Sequence, residues 1–266
     1  MKSELLYPEN EPECINILSY FKSTQDVKEY MKTQNVLFLG CCKNVSIYIP
    51  TLLYHINNCG NKFNSFQVLL YESNSIDNTR QVLLNNIKDN YIYIFDDYKI
   101  NTCNINTENI RTLYLERGRN ILLDEAKKLN TDNKYQYLII LDTDDVNSSG
   151  DFVNSIETCF YYNTWDVLFS NKKNGYYDLW ALRKKKDCEY DIWKSFFKTH
   201  TSCLNYEPGY LLEVDSAFGG IAIYRFSDIL KQCYYSNGCY TCEHIHFNKS
   251  IKKKGGKLYI NTSFYN

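Results

Sequence analysis

Only four prolines and eleven glycines occur in 266 residues, too few for a collagen-like or Pro/Gly-rich disordered chain. No run approaches the roughly 18 uninterrupted apolar residues of a membrane helix; the longest, such as Val36–Leu39 and Tyr137–Leu141, have strand length. Charge of one sign is also missing. Thirty Lys and Arg stand against 31 Asp and Glu, which removes the electrostatic basis for non-specific nucleic-acid binding. The eleven cysteines are odd in number and include no pair of CxxC motifs at finger spacing. Reduced, mostly buried thiols are expected, not a disulfide framework or a zinc site. The first dozen positions carry acidic residues where an export signal needs an apolar stretch, so cytoplasmic work is expected. What is abundant is aromatic: 16% of the chain, with 25 Tyr, enough to exclude disorder and to fill one sizeable core.

Residues 1–33 are polar and weakly patterned and read as an N-terminal extension. From residue 34 apolar runs alternate with helical spacing, the pattern of a sheet covered by helices. Strands are predicted at Asn35–Gly40, Phe66–Tyr71, Tyr91–Phe95, Tyr137–Leu141, Val167–Ser170, Gly220–Tyr224 and Lys257–Ile260. Helices are predicted over Val45–Asn58, Thr79–Lys88, Leu113–Leu129 and Asp151–Phe160, with Gly60 as a stop and Pro50 in a first turn. One doubly wound α/β domain over 34–266 follows, its halves 34–147 and 148–266, with the ligand crevice at the carboxyl ends of its strands.

Three motifs fall at those ends. Strand Tyr137–Leu141 runs into Asp142-Thr-Asp144-Asp145, three carboxylates that no packed core accepts. Such a cluster suits Mg²⁺ or Mn²⁺ bound jointly with a diphosphate; a helix-capping cluster is the structural alternative. Strand Phe66–Tyr71 runs into Glu72-Ser-Asn74-Ser75-Ile-Asp77-Asn-Thr79, a small polar loop before a capped helix. It offers acceptors for a base or ribose and backbone N–H groups near a helix N-terminus, or is simply a capped turn. Arg117-Gly118-Arg119 sits on a helix, two guanidinium groups able to clamp a diphosphate or to lie on the surface.

In this order the three segments resemble the GT-A glycosyltransferases. YESNSIDNT resembles their DDGSxDxT loop, GRN their ARN element and LDTDD their DxD motif, with Glu72 where many relatives have Asp-Asp. Tyr176-Tyr177-Asp178-Leu-Trp180-Ala-Leu-Arg183 is similar to the YDxWxxR stretch of fungal capsule-type mannosyltransferases and of glycosyltransferase-like proteins of large DNA viruses. Val214 to Tyr224 and Cys242-Glu243-His244-Ile-His246-Phe resemble later motifs of the same proteins.

The resemblance implies a GT-A-like, mainly parallel doubly wound sheet and a metal-dependent transferase. A sugar would move from a nucleotide-diphosphate sugar, UDP- or GDP-linked, to a hydroxyl of a glycan or other acceptor. In this scheme Asp142 and Asp144 hold Mn²⁺ or Mg²⁺ with His246 or His244. Glu72, Ser75, Asp77, Arg117, Arg119, Asp142 and Thr143 hold the donor, and Gly219 and Gly220 let backbone approach its sugar. Tyr177, Asp178 and Trp180 face the acceptor, Asp178 and Arg183 being equally able to pair with each other. Glu243 is the first candidate for a base and Asp215 the second. His244 and His246 share one face if their segment is extended. No nucleic acid and no membrane span enters this scheme, and the setting is cytoplasmic, the host's if the source is viral. Two rivals remain: a sugar-nucleotide nucleotidyltransferase, which should open with a Gly-rich phosphate loop where this chain has Gly40-Cys-Cys-Lys-Asn, and a catalytically inactive binding protein of the same fold.

Overall fold

The computed structural model describes residues 14–15, 23–99, 107–173, 176, 178–184, 208–236 and 241–266. The first half alternates strand and helix: β1 (Cys14–Ile15), α1 (Thr24–Met31), β2 (Asn35–Cys42), α2 (Ile49–Gly60), β3 (Ser65–Ser73), α3 (Thr79–Asn85), β4 (Tyr91–Asp96), α4 (Thr107–Leu129) and β5 (Tyr137–Asp142). The second half holds α5 (Asp151–Ser155), β6 (Val167–Asn171), β7 (Leu211–Glu213), β8 (Ile221–Arg225), α6 (Asp228–Lys231), α7 (Glu243–Lys253) and β9 (Leu258–Tyr265). Among the described residues the strands form one sheet in the order β1-β7-β9-β6-β8-β5-β2-β3-β4. Strands β4, β3, β2 and β5 run parallel. β8 enters antiparallel between β5 and β6, and β9 pairs parallel with β6. The α/β sheet expected from the alternation is thus present, continuous through both halves of the chain.

The central parallel strands β2, β3 and β5 are apolar on both faces because each face is covered. Leu37, Leu39, Leu69, Leu138 and Ile140 pack against Leu122, Leu123 and Ala126 of α4 and Ile245, Phe247 and Ile251 of α7. Their neighbours in the pleat, Phe38, Val68, Leu70, Ile139 and Leu141, face the other way onto Leu52, Leu53 and Ile56 of α2, Phe152 of α5 and Trp165. Helix α1 joins that second layer through Val27 and Met31, both fully buried. Part of the stretch that reads as weakly patterned is therefore core, its signal being two apolar residues one helical turn apart. Ser23 and Asp26 close a capping box at its start.

α2 begins at Ile49, not Val45, with Pro50 in its first turn. α4 starts six residues earlier than its apolar spacing suggests, at Thr107. The reversal of strand order between β2 and β5 opens a crevice at their carboxyl ends, with α2 and α4 covering opposite faces of the sheet. None of the described helices is long and apolar enough to cross a membrane.

Gly118 sets how closely α4 approaches the sheet beneath that crevice. A Cβ there would lie 2.6 Å from Cδ1 of Tyr71 and 3.0 Å from Sγ of Cys41. We predict that Gly118→Ala lowers stability by about 1–3 kcal/mol through overpacking, read as a fall in the urea midpoint. An unchanged midpoint would mean that α4 shifts without cost.

Candidate active site

At the end of β5 the chain leaves the sheet through Asp142, Thr143 and Asp144. Asn147, fully buried, staples this exit by donating from Nδ2 to the carbonyls of Asp142 (2.8 Å) and Gly220 (2.9 Å). The Thr143 hydroxyl is spent on the Cys41 carbonyl at 2.7 Å, tying β5 to β2, so Thr143 serves the frame of the crevice. Asp144 caps a short 3₁₀ turn, its carboxylate accepting from the Val146 amide at 3.3 Å. Asp142 and Asp144 both line a cleft of about 340 Å³.

Arg119 forms the floor of this cleft. Its side chain is 4% exposed and lies between two carboxylates: Nε donates to Glu243 Oε1 at 3.0 Å, and Nη2 to Asp142 Oδ1 at 3.1 Å. The rings of Phe218 and Tyr235 lie 5.2 and 5.7 Å from the guanidinium carbon. Glu243 opens α7, where a carboxylate also complements the helix dipole. Asp178 lines the same cleft and accepts from the amides of Ala181 (3.3 Å) and Gly219 (3.2 Å). Gly219 and Gly220 both take positive φ, 73° and 86°. A Cβ on Gly219 would lie 2.5 Å from the Ser170 carbonyl oxygen, so this turn needs glycine to present its amide to Asp178.

Carboxylate is in surplus here. Asp142, Asp144, Asp178 and Glu243 share the lining with Arg111 and Arg119. Withdrawal from bulk solvent lifts the Asp142 carboxyl to about 7, with Asp144, Asp178 and Glu243 adding to the rise against the pull of Arg119. Asp178 rises to about 6, chiefly by burial, against its two amide bonds. Among the described residues no three metal-binding side chains converge closely enough to hold an ion alone. The donor set is two strand-end carboxylates with crowded negative charge behind them. That suits an ion such as Mg²⁺ or Mn²⁺, which keeps one or two carboxylates and takes its other oxygens from a phosphate and water.

The histidines do not share a face. Their segment is helix α7, so positions two apart diverge by about 200°. His244 lines the cleft, stacked on Phe218 with centroids 3.7 Å apart, while His246 is not part of the lining. Burial, with Arg119 and Arg111 nearby, holds His244 well below the usual imidazole range, and its buried Nδ1 has no hydrogen-bond partner. Asp215 also stands outside the cleft lining and pairs with Lys252 at 2.8 Å. Trp180 lines the cleft; Tyr177 lies outside the described residues. Arg183 donates to the carbonyls of Trp180 and Leu182.

Arg117 and Arg119 likewise point apart on α4. Arg117 pairs with Asp96 at 3.0 Å and lies over the Tyr98 ring at 4.0 Å. The cation that accompanies Arg119 is Arg111, which the sequence reading missed because it began the helix at Leu113. Arg111, Leu115 and Arg119 recur every four residues and all line the cleft.

Glu72, Ser75 and Asp77 build the neighbouring loop by cross-linking it. Glu72, 1% exposed, accepts from the Ser75 amide (2.9 Å) and from Arg80 Nε (2.7 Å). The Asn44 amide donates to Ser75 Oγ, the Ser46 amide to Asp77 Oδ2 and the Val45 amide to Thr79 Oγ1. The loops after β2 and β3 are thus one hydrogen-bonded unit beside the crevice.

No family model matches the sequence, and no curated protein matches it. Among solved structures, the mannosyltransferase PcManGT from Pyrobaculum calidifontis, in complex with GDP-Man and Mn²⁺, is similar over 91% of this chain and 62% of its own, at 12% identity and a TM-score of 0.51. The chain has a GT-A-like fold. The 1–349 fragment of S. aureus TarS is similar over 86% of this chain and 58% of its own, at 15% identity and a TM-score of 0.45. Glucosyl-3-phosphoglycerate synthase from Mycobacterium tuberculosis, in complex with Mn²⁺, UDP and phosphoglyceric acid, is similar over 89% and 70%, at 8% and 0.48. At such identities the likeness is one of fold. The chain spans less than two thirds of PcManGT and of the TarS fragment.

In this fold the crevice depends on the loop unit keeping its shape, and Asp77 reports on it. Burial acts against its charge, but hydrogen bonds from Thr79 and Ser46 outweigh it and hold the carboxyl at about 2, below its ordinary 3.8. A depressed native pKa contributes stability above 3.8 that is lost as pH falls toward 2. We predict that Asp77→Asn melts below wild type at neutral pH and that the gap closes between about pH 4 and 2. A gap independent of pH would mean that the carboxylate's charge is not what holds the loops.

Proposed function

We propose that this protein is a metal-dependent glycosyltransferase that moves a sugar from a UDP- or GDP-linked donor to a hydroxyl of a glycan or related acceptor. The observation that carries the reading is the pair Asp142 and Asp144 at the carboxyl end of a central strand, facing a cleft floored by a buried arginine. PcManGT, of the same fold, was solved with GDP-Man and Mn²⁺. The finer resemblance to viral and fungal transferases rests on the Tyr176–Arg183 and Val214–Tyr224 segments and belongs to this proposal.

In this reading Asp144 would ligate Mn²⁺ or Mg²⁺, and Asp142 would assist once it exchanges its bond to Arg119 for the ion. When bound, the ion supplies Lewis-acid stabilisation of the departing diphosphate. Arg119 contributes fixed positive charge to the same leaving group from a dry, preorganised position. Arg111, on the same helical stripe, adds a second cation at the cleft lining. The linked loops after β2 and β3 wall the nucleoside, with Glu72 and Asp77 holding their shape. The Gly219–Gly220 turn and Asp178 border the sugar, and Trp180 offers an aromatic face to sugar or acceptor. Of the two imidazoles, His244 is the one placed to border the ligand, as a neutral ring.

The test is a thermal-melt series with UDP, GDP and CMP, with and without Mn²⁺. One nucleoside diphosphate at a hundred times its Kd should stabilise the protein by about 2.7 kcal/mol, and only when Mn²⁺ is present. Asp144→Ala should abolish that Mn²⁺-dependent shift while costing the ligand-free protein no more than about 1 kcal/mol, the worth of a lost cap. No shift with any nucleotide in wild type would overturn the reading. A collapse of the ligand-free melt in Asp144→Ala would assign this acid to architecture.

A further inference from the structure

We infer that Glu243 is a positioning residue that holds Arg119 in register for a diphosphate, and not the proton acceptor of the transfer. The inference rests on the transferase reading and concerns the same cleft. A general base needs a free oxygen within hydrogen-bond reach of the acceptor hydroxyl. Glu243 reaches the cleft lining, but protein groups face both of its oxygens. Oε1 takes the Arg119 Nε hydrogen at 3.0 Å and lies 3.5 Å from His244 Nε2, while Oε2 faces the Cys242 thiol at 3.9 Å. Only 3% of its side chain is exposed.

The arginine shows what that arrangement achieves. Glu243 fixes Nε and Asp142 fixes Nη2, and Phe218 and Tyr235 bracket the guanidinium carbon. Nη1 makes no hydrogen bond among the described residues, although Arg119 lines the cleft. A planar guanidinium anchored at Nε has little rotation left, so its remaining donors meet a phosphate oxygen without a further ordering cost. Asp142 is the exchangeable partner, since it is 29% exposed at the cleft where Glu243 is 3% exposed. Glu243 stays with Arg119 and Asp142 is released, which is how one arginine serves an empty and a filled site.

Positioning and proton transfer separate in binding experiments that involve no acceptor. Calorimetry with Mn²⁺ should give the affinities of UDP, UMP, GDP and GMP for wild type, Glu243→Gln, Arg119→Met and the double variant. Wild type should prefer the diphosphate of one nucleoside over its monophosphate. Glu243→Gln should cut that preference by about tenfold, the loss expected for one oriented charge-assisted hydrogen bond, and leave monophosphate affinity unchanged. In the Arg119→Met background Glu243→Gln should change nothing further.

A diphosphate preference that Glu243→Gln leaves intact would overturn the inference while leaving the transferase reading standing. An equal loss with and without Arg119 would overturn it too, because Glu243 would then act on the ligand directly. Should Glu243→Gln alone fail to fold, the double variant, with both buried charges removed, is compared with Arg119→Met. Equal affinities support the inference and a further loss overturns it. Wild type that binds no nucleoside diphosphate would overturn the transferase reading, and the inference with it.

Discussion

A guanidinium buried to 4% exposure is tolerable only where anions meet it, because the desolvation of an ion costs several kcal/mol even after relaxation. Arg119 meets that condition with one carboxylate from the end of β5 and another from the start of α7, 124 residues further along the chain than the arginine itself. The pairing ties the parallel half of the sheet to the last helix. It also dictates local detail. Gly118 must be glycine for α4 to lie against Tyr71 and Cys41. Phe218 packs its ring beside the guanidinium and stacks it on His244.

Polar residues near the crevice divide into those that make its walls and those that face its contents. Ser75, Asp77, Thr79 and Thr143 each have hydrogen bonds to backbone of a neighbouring loop or strand, and Glu72 to backbone of its own loop. Such bonds satisfy buried or half-buried donors that loops otherwise leave open. Asp144, Asp178, Arg111 and Trp180 line open volume, Asp144 and Asp178 while also accepting from backbone amides. A polar motif on a strand-end loop is thus partly scaffold even where it flanks a ligand site, and removing a wall residue moves the contents indirectly.

The strands were legible because buried parallel strands read as continuous apolar runs. The acidic exit of β5 was legible because three carboxylates after such a run have no place in a core. Helix α7 was not: Glu243-His244-Ile245-His246 alternates in polarity as a strand would, and its helical partners Phe247 and Ile251 lie beyond the motif. β7 spans three residues, too few for a period. The mutual commitment of Arg119 and Glu243 was out of reach for a different reason. Each residue looked available for chemistry alone, and only the sheet order brings them together. The divergence of Arg117 from Arg119 was readable in principle, since positions two apart on a helix face opposite ways. The same rule would have selected Arg111 and Leu115.

The charge balance of the cleft bears on the order in which its occupants arrive. Four carboxylates against two arginines repel a bare diphosphate, whose own charge adds to theirs. An ion accompanying the diphosphate reverses that sign, relieving Asp142 and Asp144 while leaving Arg119 for the phosphate oxygens. The carboxyl of Asp142, raised to about 7 chiefly by burial and further by its carboxylate neighbours, shows the same reluctance to hold full negative charge. Under the proposed function the site therefore favours the metal–diphosphate pair over either component. Arg119, already immobilised by Glu243, is the element that distinguishes that pair from a metal ion alone.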